Sequence, residues 1–129
     1  MTCVWDSLLN GINTTCKTSL HSINDLKLHI QNEFKLPLQV KCNDCGLSVK
    51  QQEETLESIR NLTIRHDGYD ISAFEPLFLA ACQVFNICIE HTMRIHGNES
   101  VLIKYTCDNT MCTLRFNSDI GHMVFSGKA

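Results

Sequence analysis

The sequence predicts an α+β domain in which a helical N-terminal half packs on a C-terminal antiparallel sheet. Three observations point there. Up to about residue 85, apolar side chains recur at spacings of three and four, the period of a helix face. From Asn86 onward they alternate with polar ones, the period of a strand covered on one side by a core. The segments between the alternating runs, "HGNE", "DNTM" and "SDIG", are rich in turn formers. At 129 residues, one domain spanning 1–129 with a single core is expected.

Taken in order, a first helix is expected from a cap at Asp6 or Ser7 to about Thr15, with Leu8, Leu9 and Ile12 inward. That start leaves Cys3 at or just before the first turn. A second helix follows the cap Ser22 and carries the stripe Ile23, Leu26, Ile30 and Phe34. Pro37 closes it, because proline disfavours helical geometry at Leu36. "KCNDCG" is a tight turn with two thiols three positions apart. "VKQQEETLESIRNLTI" begins helix-prone and ends strand-prone, and "HDGYD" turns at Asp67-Gly68. "DISAFEPLFLAACQVF" is a further helix, with Pro76 in its first turn and Leu77, Ala80, Ala81 and Val84 packed. Four strands, "NICIEHTMRI", "SVLIKYTC", "CTLRFN" and "GHMVF", are expected to form an antiparallel meander, with His91 facing solvent.

Charge narrows the function classes. The net charge is -3 and the pI about 6.0, with no basic run, which argues against phosphate-driven nucleic-acid binding and a polybasic membrane patch. Apolar runs such as "FLAAC" are too short to span a bilayer, and no signal peptide is evident, so a cytoplasmic protein is expected. Eight cysteines and the sequons at Asn13, Asn61 and Asn98 would suit a secreted disulfide framework. Cysteines inside apolar runs such as "LAACQVFNICI" favour the other reading, a reduced chain with Cys16, Cys82 and Cys88 as core thiols.

Two groups of residues invite a chemical reading. A thiol at a helix N-terminus is activated by the unpaired backbone N–H groups there, and a nearby imidazole completes the activation by taking its proton. Cys3 satisfies the first condition, and His122 in "SDIGHMVF" is the candidate for the second; the plain readings are a terminal thiol and a surface imidazole. The second group joins "CNDCG" (Cys42, Cys45) with "CDNTMC" (Cys107, Cys112). Paired thiolates suit tetrahedral zinc, whereas a 61-residue gap and a longer second spacing suit reduced or disulfide-linked pairs.

"CVWDSLL" resembles the nucleophile motif of the ovarian-tumour (OTU) family of cysteine proteases. "EPLFLAACQVFNICIEHT" is similar to that family's central helix and following core strand, and "GHMVF" to its catalytic-histidine strand. These pieces follow the family's order, with a cysteine-containing insert around 37–70 outside the match. The resemblance implies a papain-like fold. It also implies cleavage of peptide or isopeptide bonds after a Gly-Gly terminus of ubiquitin or a ubiquitin-like protein, with Cys3 as nucleophile and His122 as general base. The small domain also resembles the OTU-like proteases of RNA viruses, which adds a viral polyprotein as substrate and the host cytoplasm as location. No cofactor is implied for the chemistry, although a structural zinc is found in some such proteases.

The departures from the family are specific. Only Met1 and Thr2 stand before Cys3, where the family has Asp-Gly-Asn, so either the chain is trimmed or the oxyanion hole uses the Cys3 N–H and another group near Thr2. Val124 occupies the place of the usual acid after the histidine, leaving Asp119 as a substitute. Trp5 either lines the cleft or fills the core. A different class of function also fits: an inactive or zinc-stabilised module that binds ubiquitin or a host protein.

Overall fold

In the computed structural model, the described residues form four helices and a five-stranded mixed sheet, an α+β architecture in which the first and fourth helices pack on the sheet and the other two pack on helices. It describes residues 3–16, 19–64, 71–96, 99–108, 112–119 and 122–128, with side chains described except at 3, 71–74, 95, 96, 119, 122, 124 and 128. The elements are α1 (Cys3–Cys16), α2 (Ile23–Glu33), β1 (Lys41–Cys42), α3 (Val49–Arg60), α4 (Ile71–Phe85), β2 (Cys88–His96), β3 (Glu99–Thr106), β4 (Thr113–Asp119) and β5 (His122–Lys128). Among these residues no helix is long and apolar enough to cross a membrane.

Local chemistry sets the middle helices. The Ser22 hydroxyl accepts the Asp25 N–H at 3.2 Å and so caps α2, whose Leu26 and Ile30 are buried. At α3, Ser48 and Gln51 form a reciprocal capping box, each side chain bonded to the other's backbone N–H. The "NLTI" stretch after α3 is irregular, not a strand. The Asn61 N–H turns back to the Glu57 and Ile59 carbonyls, and Leu62 and Ile64 rest half-buried against the core. The expected turn at "HDGYD" falls within 65–70 and lies outside the described residues.

α4 is the central helix. Every residue from Leu77 to Cys82 is buried, because α1, α2, α3 and the sheet surround it. The Phe78 ring is its hub, with centroids 5.7 Å from His91, 5.9 Å from Tyr105 and 6.3 Å from Phe116. Pro76 lies at the sixth position of α4, beyond the first turn where it was expected, and removes an N–H from the helix ladder there.

The meander is corrected to a mixed sheet in the order β1-β3-β2-β4-β5. β2 and β3 form a hairpin, but β4 runs parallel to β2 on its other side, and β5 returns antiparallel to β4. In a meander, β4 would extend the outer edge of β3. That edge is taken: β1 pairs with Tyr105 and Thr106, and Asn43 exchanges hydrogen bonds of 2.8 and 2.9 Å with the backbone of Lys104. The bond from the Cys88 N–H to the Cys112 carbonyl starts the parallel ladder instead.

Side-chain alternation separates the two faces of the sheet. Ile89, His91, Tyr105, Leu114, Phe116, Ser118 and Met123 are buried under the helices. On the other face Glu90 and Arg115 pair at 3.2 Å. Asn117 donates to the Ser126 hydroxyl there.

Candidate active site

α1 begins at Cys3, not at the expected cap of Asp6 or Ser7, both of which lie within the helix. Its apolar face, Val4, Trp5, Leu8 and Ile12, is buried. Asp6 lies in the first turn, where a carboxylate complements the positive end of the helix dipole. Ser7 is buried among these apolar groups, and its hydroxyl donates to the Met123 carbonyl at 3.0 Å. One turn further on, a Cβ placed on Gly11 would come 3.0 Å from the Phe125 ring and 3.3 Å from Phe116, so the missing side chain lets α1 lie close on the sheet.

These two contacts fix a direction. Ser7 meets Met123 and Gly11 meets Phe125, so helix and strand advance together along the chain. Four helical residues and two strand residues both rise about 6 Å, which keeps the two in step. Cys3, one turn before Ser7, therefore belongs to the same end of the fold as His122, the residue before Met123. Asp119 is the ladder partner of His122 across the β4–β5 hairpin. Thr2 lies outside the described residues, as do the side chains of Cys3, Asp119 and His122.

Trp5 belongs to the core. It is fully buried, and its indole N–H finds no hydrogen-bond partner among the described residues. A ring enclosed in this way fills space under the helix and does not line an open cleft.

His91 is corrected from solvent-facing to buried. Its Nε2 lies 2.8 Å from the Ser118 hydroxyl, and Phe78 packs on it edge-on. Burial pushes its pKa down to about 4, because the enclosed ring has lost the water that would stabilise its charge. The alternation of Ile89, His91 and Met93 with Glu90, Thr92 and Arg94 is the sequence signal that marks His91 as inward.

The four cysteines considered as zinc ligands are divided. Cys42 and Cys45 face each other across a tight hairpin. Cys107 lies 3.8 Å from the Cys82 carbonyl and 3.6 Å from that of Ile87. Burial, then the nearby Cys88 and Asp108, pushes its thiol up to about 11. Cys112 is the neighbour of Cys16, whose thiol burial and then Cys112 push up to about 11. Cys82 is buried as expected, and burial followed by Cys107 and Cys88 raises its thiol well above the ordinary range. Among the described residues, no three His, Cys, Asp or Glu side chains are grouped to hold a metal ion. Cys42, Cys45, Cys107 and Cys112 thus do not assemble the four-sulfur set that a structural zinc needs.

No family model matches the chain, and no curated protein or solved structure is significantly similar to it.

A cavity of about 370 Å³ opens between α3, α4 and the β1 hairpin, lined in part by Cys42, Glu54, Thr55 and Glu75. In its wall, Glu75 Oε1 accepts from the Cys42 thiol at 3.6 Å and from the Tyr105 hydroxyl at 3.5 Å. No local motif announces it, because its polar groups come from three separate stretches of chain, β1, α3 and α4.

Proposed function

We propose that this chain is a papain-like thiol protease of the OTU type, with Cys3 as nucleophile and His122 as general base. Its substrates are peptide or isopeptide bonds that follow a Gly-Gly terminus of ubiquitin or a ubiquitin-like protein, together with a junction in a viral polyprotein. The observation that carries this reading is the hydrogen bond from Ser7 to Met123, which holds the first turns of α1 against the first residues of β5. A thiol protease needs its nucleophile at a helix start and its imidazole on a neighbouring strand. Cys3 opens α1 and His122 opens β5, which supports the reading.

In this mechanism His122 takes the Cys3 proton, and the sulfur attacks the scissile carbonyl carbon. Backbone N–H groups at the start of α1 stabilise the oxyanion. Collapse of the tetrahedral intermediate breaks the C–N bond as the imidazolium gives its proton to the leaving amine. Water, deprotonated by His122, then attacks the thioester, releasing the carboxylate and the Cys3 thiol. A thiol needs less assistance than a serine hydroxyl, so the dyad works with an acid in a supporting role. Asp119 is assigned that role because it partners His122 in the ladder.

The test uses ubiquitin carrying an electrophile at its C-terminus. The full chain should form a covalent adduct mapped by peptide mass spectrometry to Cys3, and Cys3→Ala should abolish it. An adduct on another cysteine, or none while ubiquitin still binds, would reject the protease reading; the second result would favour the interaction module.

A further inference from the structure

Cys42, Asn43, Asp44 and Cys45 form a two-residue β-hairpin. Its central residues have φ of 51° and 67°, both left-handed, the signature of a type I′ turn. The flanking cysteines exchange both backbone hydrogen bonds, each 3.0 Å long. Residues paired in this way have Cα atoms about 5.5 Å apart, with side chains leaving the ribbon on one face. That separation lies at the centre of the range a disulfide spans. Asn and Asp are among the few non-glycine residues that accept left-handed geometry, so "CNDC" is suited to hold two thiols opposite each other.

The hairpin is also anchored. The Asn43 N–H donates to the Lys104 carbonyl, and the Lys104 N–H donates to the Asn43 side chain. These two bonds fix the hairpin on β3 and keep the two cysteines opposite each other. The reduced state has its own restraint, since the half-buried Cys42 thiol donates to Glu75 in the wall of the 370 Å³ cavity. Cys45 is exposed.

We propose that Cys42 and Cys45 form a redox-active dithiol that closes to a disulfide by exchange with a low-molecular-weight disulfide, releasing the Cys42–Glu75 contact and altering that cavity wall. The exposed Cys45, as thiolate, attacks one sulfur of the small disulfide and expels the first small thiolate, which takes up a proton. Cys42 then loses its proton to solvent and attacks the Cys45 sulfur, expelling the second. Two protein thiols are oxidised, one small disulfide is reduced to two thiols, and protons balance. Burial, then Glu75 and Cys45, holds the Cys42 thiol up at about 11. Ring closure is therefore the slow step near neutral pH, because the thiolate is the attacking form.

The experiment equilibrates the folded full chain with oxidised and reduced glutathione at several ratios, quenches it with acid, alkylates it and digests it with trypsin. Cleavage after Lys41 and Lys50 isolates both cysteines in one peptide, "CNDCGLSVK". The expected result is that this peptide becomes two hydrogens lighter and refuses alkylation, while Cys82 and Cys88 remain alkylatable after unfolding. Closure should accelerate about tenfold per pH unit through the neutral range. Glu75→Gln, which removes one cause of the high Cys42 pKa, should speed it at fixed pH. A peptide that stays dithiol at high oxidised glutathione, or stops as a stable glutathione adduct on Cys45, would overturn the proposal.

Discussion

The Ser7 hydroxyl, inside α1, reaches the Met123 carbonyl near the start of β5, two residues 116 apart in the chain joined at 3.0 Å. It is a buried polar contact between the helix that begins at Cys3 and the strand that begins at His122. Removing the hydroxyl leaves a buried carbonyl with one donor fewer, which costs about 1–3 kcal/mol. Ser7→Ala should lower the urea midpoint accordingly and reduce labelling by the ubiquitin electrophile. Unchanged stability would show that the contact does not hold the two elements together.

Gly11 supports the same docking through absence of a side chain. Its would-be Cβ already stands 3.0 Å from Phe125, whose ring lies against Phe116 with centroids 5.5 Å apart. Gly11→Val adds two further methyl groups where there is no space, so a loss of about 1–3 kcal/mol is expected from overpacking. The measurement is again the denaturation midpoint. A stabilised variant would mean that the helix does not lie this close to the sheet.

How far these contacts were legible in the sequence follows from their range. The Ser22 cap and the Ile23-to-Phe34 stripe are local: the cap forms as the sequence puts it, Leu26, Ile30 and Phe34 are buried, and Ile23 is half-buried against the core. The Ser48–Gln51 capping box is equally local, spelled out in "SVKQ". The course of β4 was not readable, since it depends on Asn43 and β1 having occupied the edge of β3 from sixty residues upstream. Ser7 looked like a cap because its partner lies at the far end of the chain. His91 is polar by composition but inward by its place in the alternation, and the Ser118 hydroxyl that satisfies its Nε2 lies 27 residues away. The four thiols looked like one set in sequence, and the fold sends Cys107 and Cys112 to different neighbours.

His91 gives the fold a pH dependence. Its folded pKa, about 4, lies below the ordinary 6.5, so the unfolded chain binds more protons between those values. The stabilisation associated with the neutral ring is complete above about pH 6.5 and is lost as pH falls toward 4, on the order of 3 kcal/mol in all. Urea midpoints recorded across that window should fall with pH, and His91→Gln should flatten the slope. An identical slope in the variant would place the acid sensitivity elsewhere.

Trp5 separates volume from polarity in the core. Trp5→Ala vacates a fully buried site and should cost about 3–5 kcal/mol. Trp5→Phe retains most of the ring and deletes an indole N–H that has no partner among the described residues. Its loss should be much smaller, because an unpaired buried donor carries a desolvation penalty that disappears with it. Calorimetric or denaturant stability of both variants tests the difference. Equal losses would mean that the N–H makes a valuable contact.

The proposed pairing of Cys3 with His122 is tested most directly by a double-mutant cycle on hydrolysis of a fluorogenic ubiquitin C-terminal amide. Groups that act as one catalytic unit are strongly non-additive, because removing either disables both. Cys3→Ala and His122→Ala should each lower kcat/KM by at least about a thousandfold, and the double variant should be no slower than the worse single one. Retention of activity within a few-fold in either single variant, or losses that multiply in the double, would contradict a shared thiol–imidazole centre.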